Sequence, residues 1–144
     1  MKDILYLVVP CYNEEDVLPV TAKRLAEVME QLEKKGMICG EKSRILFVND
    51  GSKDRTWALI KELHESDPSL YSGLCLTKNR GHQNALLAGL MEAKNYADAV
   101  ISLDADLQDD VNAIEKMMEQ YRNGFDIVYG VRSSRKKDTW FKRN

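Results

Sequence analysis

Long apolar runs are missing from this chain. Nowhere in its 144 residues do about 18 consecutive apolar side chains occur, the least that a membrane-spanning helix needs, and no basic-then-apolar leader opens it. The sequence therefore predicts neither a transmembrane helix nor a secretory signal, and a cytoplasmic location. Cysteine is scarce. Cys11, Cys39 and Cys75 are odd in number and widely spaced, with neither CxxC nor Cys/His spacing, which excludes a disulfide framework and a structural zinc site and leaves three reduced thiols. Low-complexity tracts, linkers and internal repeats are absent as well, so nothing marks a domain boundary. The GxGxxG turn of dinucleotide-binding domains does not follow the first apolar run, which argues against a dehydrogenase.

What is there is a globular composition, 44% hydrophobic and 31% charged. A chain of this length buries roughly 68–70% of its unfolded surface, enough for one compact core. The net charge of −2 conceals an asymmetry. Residues 132–144 carry six basic side chains (Arg132, Arg135, Lys136, Lys137, Lys142 and Arg143) against Asp138, or +5, which leaves 15 basic and 22 acidic residues, or −7, for the body. An acidic body argues against nucleic-acid binding, which needs a basic face. The tail, with Trp140 and Phe141 among its charges, suits either anionic phosphates and a membrane surface or a plain solvated end.

Short β-branched apolar runs alternate with longer segments of helical period, the pattern of an α/β fold with a mostly parallel sheet covered by helices. Strands are predicted over residues 4–9 (ended by Pro10), 44–48, 71–76, 99–103 and 126–129. Helices are predicted over residues 14–35, 55–65, 83–95 and 111–122. Asn13 is the expected cap of the first helix and Gly36 its stop, and Asp54 is the cap of the second. Val17, Leu18, Thr21, Leu25, Val28, Met29 and Leu32 form the apolar stripe of the first helix. The third is expected to bury Leu86, Leu87, Leu90 and Met91. Met29, Met91, Met117, Met118 and Trp57 read as core filling, and His64 as a surface side chain.

In an open α/β sheet, ligands bind outside the carboxyl ends of the strands. Every polar cluster of this chain sits at such an end: Tyr12-Asn13-Glu14, Asp50-Gly51-Ser52-Lys53-Asp54, Lys78-Asn79-Arg80-Gly81-His82 and Asp104-Ala105-Asp106-Leu107-Gln108. Asp104 and Asp106 offer hard oxygen ligands on one short turn, which suit Mg²⁺ or Mn²⁺ completed by water and substrate phosphates. Such a metal neutralises a phosphate leaving group. Asp109 or Asp110 can equally cap the helix that follows. Asp50 or Glu14 can accept hydrogen bonds from a base or a ribose. Gly81 lets backbone amides approach an anion at a helix start, with Lys78, Arg80 or His82 adding positive charge. A nucleoside diphosphate would satisfy all of these loops.

Together, Val8-Val9-Pro10-Cys11-Tyr12-Asn13-Glu14, Val48-Asn49-Asp50-Gly51-Ser52-Lys53-Asp54, Asp104-Ala105-Asp106-Leu107-Gln108 and Gly130-Val131-Arg132 resemble the motifs of glycosyltransferase family 2. The likeness runs over essentially the whole chain and is greatest to the polyprenyl-phosphate and dolichol-phosphate glycosyltransferases. It implies a glycosyltransferase A-type fold, Rossmann-like, and an inverting, metal-dependent hexosyltransferase that uses Mn²⁺ or Mg²⁺. By that resemblance Pro10, Tyr12, Glu14, Val48 and Asp50 embrace the nucleoside, and Asp104, Ala105, Asp106 and Gln108 meet the diphosphate. Asp104, Asp106 and Gln108 are the implied metal ligands, a DXD motif, and Arg132 meets a phosphate. Asp104, Asp106 and Arg132 become the candidate catalytic residues. The implied donor is a nucleotide sugar, UDP-linked ahead of GDP-linked, and the implied acceptor a polyprenyl phosphate of cell-envelope glycan synthesis. The parent protein is expected at the cytoplasmic face of the membrane, reached through the basic tail and a further C-terminal part. Residues 1–144 would be the nucleotide-sugar-binding part of a domain truncated at its C-terminal end, with activity in isolation doubtful.

A phosphate acceptor needs little deprotonation, so positioning and charge neutralisation would carry most of the rate. Lys78 and Arg80 stand where the family pattern has arginine and phenylalanine, and Asp110 where it has proline. Three rivals remain: a family member that transfers to a glycan hydroxyl, a chain that only binds nucleotide, and a receiver-type signalling domain. The last needs an acidic pair directly after the first strand, where Pro10-Cys11-Tyr12 stands.

Overall fold

Residues 3–107 and 111–122 are described by the computed structural model. Four strands, β1 (Leu5–Cys11), β2 (Arg44–Asp50), β3 (Tyr71–Leu76) and β4 (Ala99–Ser102), form one parallel sheet in the order β3-β2-β1-β4. The helices α1 (Leu18–Lys34), α2 (Thr56–Ser66) and α3 (His82–Ala93) connect them in turn, and α4 (Asn112–Arg122) follows β4. This is the α/β sheet flanked by helices that the sequence predicts. The expected strand at 126–129 lies outside the described residues.

β1 is buried at every position, because it is central and both its faces are covered. Leu5, Leu7, Val9 and Cys11 join Ile45, Phe47 and Ile101 in a core closed by Leu18, Leu25 and Leu32 of α1, Ile60 of α2, and Ile114 and Met118 of α4. Tyr6, Val8, Leu46 and Val48 point the other way, against Ala85 and Ala93 of α3. The period of two along the strands thus sorts the apolar residues between two layers. Lys35 reaches across to both carboxylate oxygens of Glu115 at 2.8 and 2.9 Å, joining the end of α1 to α4.

Pro10 does not end β1, which runs on to Cys11 with Pro10 beside Val48. A central proline normally costs a ladder bond. The Val8 carbonyl accepts the N–H of Leu103, so residues of the same parity, Pro10 included, face the β4 side. β4 ends at Ser102, and among the described residues the missing N–H has no strand opposite it.

The third helix differs more. Its buried residues are Ala85, Gly89 and Ala93, whereas Leu86 and Leu90 are half-buried and Leu87 and Met91 are exposed. A methyl group built on Gly89 would overlap Val8 and lie 2.9 Å from Val48 Cγ2. The small-residue stripe lets the helix lie close on the sheet, and this turns its larger apolar side chains to the flank. Met91 is accordingly not core filling, while Met29, Met117 and Met118 are. Trp57 packs half-buried against the core, and His64 is exposed, its Nδ1 2.7 Å from the Tyr71 carbonyl oxygen.

Candidate active site

The four predicted polar clusters, the last as far as Leu107, follow the carboxyl ends of the parallel strands, and cross-links tie the first three loops together. Asn13 is not a helix cap. It adopts φ +53° and clamps the second loop: its N–H donates to Ser52 Oγ at 3.0 Å and its Oδ1 accepts the Lys53 N–H at 2.9 Å. The Glu14 N–H donates to Thr56 Oγ1 at 2.8 Å, and that hydroxyl donates to Asp54. Asp54 also accepts the N–H groups of Glu15 and Thr56, at 3.3 and 2.9 Å. α1 starts at Leu18 rather than near residue 14, which places Pro19 in its first turn, where the missing N–H costs no helical bond. Burial works against ionisation of Asp54, but the hydrogen bonds from Thr56 and Glu15 outweigh it and hold the carboxyl below its ordinary value.

Asp50 ties the second loop to the third. It is 3% exposed and accepts the Arg80 N–H at 2.7 Å, the Gly81 N–H at 3.1 Å and Asn79 Nδ2 at 3.2 Å. Gly51, at φ +64°, lies against the backbone of Lys78 and Asn79, where any side chain would overlap it. A carboxylate has about four acceptor positions, so three of Asp50's are spent on the loop and one is left for a ligand.

Pro10, Tyr12, Glu14 and Asp50 line one hollow of about 270 Å³, closed by Gly81 and His82. Four of the five predicted nucleoside residues thus meet in one place. Val48 lies fully buried beneath, in the α3 layer. A larger hollow of about 570 Å³ sits along the outer edge of β3, between Trp57 and Tyr96. It contains none of the predicted residues.

Asp104 is half-buried and Asp106 exposed on the turn after β4, with Ala105 buried between them. The Leu107 N–H donates to the Asp104 carbonyl at 3.1 Å, and Leu107 takes φ +51°, a conformation costly for a bulky side chain and common where function constrains the backbone. Glu14 faces this turn as well as the hollow. Burial first, then the charges of Asp106, Asp104 and Asp54, raise its carboxyl above the ordinary value. The folded chain therefore holds that proton more tightly than the unfolded one, and the associated stability is present at low pH and lost as pH rises through the raised value. Glu14→Gln is expected to raise the melting temperature at neutral pH and to lose that advantage toward about pH 4, as thermal melts across that range would show.

Among the described residues no three His, Cys, Asp or Glu side chains stand close enough to hold a metal alone. The carboxylates of Asp104 and Asp106, with Glu14 near, are nevertheless oxygen donors of the kind that would suit a hard cation taking the rest of its shell from water and phosphate. Gln108 and Arg132 lie outside the described residues. Sequence reasoning placed Asn79 and Ser52 in their clusters without giving either a role, and it missed Thr56. It also missed Cys11, which lines the hollow and whose thiol burial and Glu14 push far up.

The sequence pattern of glycosyl transferase family 2 matches residues 6–144. The chain belongs to that family. It is 55% identical over 142 residues to the uncharacterized glycosyltransferase YkoT of Bacillus subtilis, covering 99% of this chain and 42% of that protein. It is 42% identical over 137 residues to the bactoprenol glucosyl transferase of Shigella phage SfV, covering 95% of this chain and 41% of that one. The chain thus spans about two fifths of the length of these relatives. Among solved structures, the mannosyltransferase PcManGT of Pyrobaculum calidifontis, in complex with GDP-Man and Mn²⁺, superposes with a TM-score of 0.55 at 25% identity, over 74% of this chain and 28% of that one. S. aureus TarS 1-349 superposes with a TM-score of 0.56 at 17% identity, over 83% of this chain and 33% of that one, a likeness of fold. The fold is of the glycosyltransferase A type, and family membership sets aside the receiver-type reading.

Proposed function

We propose that this chain supplies the donor half of an inverting hexosyltransferase that moves a sugar from a nucleotide sugar to a polyprenyl phosphate. The observation that carries the reading is that Glu14 lines the hollow together with Pro10, Tyr12 and Asp50 and lies near enough to Asp104 and Asp106 for their charges to act on it. A nucleoside in the hollow would direct its diphosphate toward those carboxylates. The family relationship and the name of the phage relative support the lipid-phosphate acceptor.

Pro10 and Tyr12 would flank the base, and Asp50 and Glu14 would accept hydrogen bonds from base and ribose. Asp104 and Asp106, with Gln108, would hold Mn²⁺ or Mg²⁺, which when bound offsets the charge of the departing diphosphate. α3 begins at His82, after Gly81 at φ +97°, and both residues line the same space, where the free amides of a first helical turn would favour an anion. Arg132 and the basic residues 132–144 would attract the acceptor phosphate at the cytoplasmic face of the membrane. No helix of the described residues is long and apolar enough to cross a membrane. Positioning and charge neutralisation then carry the reaction, because the acceptor oxygen is already anionic.

The test is calorimetric titration of the chain with UDP and with GDP, each with and without Mn²⁺. Binding of UDP that tightens when the metal is present is expected. A metal-dependent preference for GDP would replace the base assignment, and no metal-dependent binding of either would overturn the reading.

A further inference from the structure

Thr21 stands in the apolar stripe of α1, on the face turned to the sheet, and is 2% exposed. A threonine in a helix commonly returns its hydroxyl to the carbonyl one turn earlier. Here the hydroxyl donates instead to the carbonyl of Ala105, 84 residues away in sequence. Ala105 is itself 3% exposed, so its carbonyl is cut off from water and depends on a protein donor. That carbonyl belongs to the peptide joining Ala105 to Asp106. Fixing its plane fixes where the Asp106 side chain departs from the backbone, in a turn already forced into a left-handed conformation at Leu107.

We infer that Thr21 is a positioning residue for the Asp104-Ala105-Asp106 turn: its hydroxyl, brought from α1, sets the peptide between the two carboxylates so that both face a divalent cation. The inference rests on the proposed role of that turn in holding the metal. It gives α1 a part in the donor site, although none of its side chains carries charge into the site, and it accounts for a polar residue at a position where valine would pack equally well.

Two substitutions separate positioning from packing. Thr21→Val keeps the shape and removes the hydroxyl; Thr21→Ser keeps the hydroxyl and removes a methyl group. Positioning predicts that Thr21→Val weakens the apparent Mn²⁺ affinity, measured by titration in the presence of UDP, on the order of tenfold, while Thr21→Ser stays within about twofold of the parent. Packing predicts the reverse order, in melting temperature as well as in metal response. A second readout needs no ligand: the Leu107 N–H, bonded to the Asp104 carbonyl within the turn, should exchange with solvent several-fold faster in Thr21→Val and at the parent rate in Thr21→Ser. An unchanged metal response and exchange rate in Thr21→Val, or a lost metal response in Thr21→Ser, would overturn the inference while leaving the metal site standing. A parent chain without any metal-dependent binding would overturn the site and the inference together.

Discussion

Asp106→Ala is expected to abolish the metal-dependent part of nucleotide binding, on the order of a hundredfold or more in apparent affinity, with the melting temperature nearly unchanged. The two halves of that result have separate causes. Asp106 is exposed, on a turn beyond the end of β4, and substitution of an exposed loop side chain shifts stability by about 0.5 kcal/mol or less. Its loss even relieves part of the repulsion that raises Glu14, so any small shift should be toward greater stability at neutral pH. For the cation the loss is severe. A hard divalent ion of this kind is held by only one or two protein carboxylates, and removing one would leave Asp104 as the sole carboxylate, with Gln108 and the substrate phosphates. Titration of UDP into parent and variant, with and without Mn²⁺, reads both halves. A variant whose Mn²⁺-dependent affinity equals the parent's would remove Asp106 from the metal site.

Periodicity made the sheet legible. The near-continuous apolar runs that become β1 and β2 announce strands buried on both faces, and β3 has the predicted bounds. What periodicity did not convey was packing distance. Leu86, Leu87, Leu90 and Met91 look like the natural core face of α3, yet Gly89 sits where only a hydrogen fits between helix and sheet, and the small residues take the inside. The same holds for the site. The clusters at the strand ends were readable because the α/β topology brings them to one crevice, and Pro10, Tyr12, Glu14 and Asp50 do line one hollow. The clamps between loops were not readable. Asn13 as a helix cap and Asn13 as a bridge to Ser52 and Lys53 use the same side-chain chemistry, and only the neighbouring loop decides between them. Thr21 was hidden for the same reason: its partner is distant in sequence and is a backbone atom, which leaves no trace in residue type.

Among the residues that line the hollow, Asp50 is the one whose replacement should cost the fold most. Asp50→Ala would leave the N–H groups of Arg80 and Gly81 without their acceptor and Asn79 Nδ2 with only the Asp50 backbone carbonyl, at 3.2 Å, and would empty a side-chain position that is 3% exposed. Hydrogen bonds to a charged group are worth about 1.5–3 kcal/mol each. The three share one carboxylate and do not add independently, so a loss of about 3–5 kcal/mol is expected, a fall on the order of 10 °C in melting temperature. Asp50→Asn is the sharper test, because it keeps volume and shape. Asparagine offers one acceptor oxygen and turns an NH₂ group toward donors, so most of the loss should persist if the carboxylate holds the loop. Gly51 packs on the same loop backbone, and freeing that loop would remove one wall of the hollow proposed to take the nucleoside. Nucleotide affinity should therefore fall in both variants whether or not metal is present, unlike Asp106→Ala, whose defect is confined to the metal-dependent part. Thermal melts of Asp50→Asn within about 1 kcal/mol of the parent would show that Asp50 does not hold the loop.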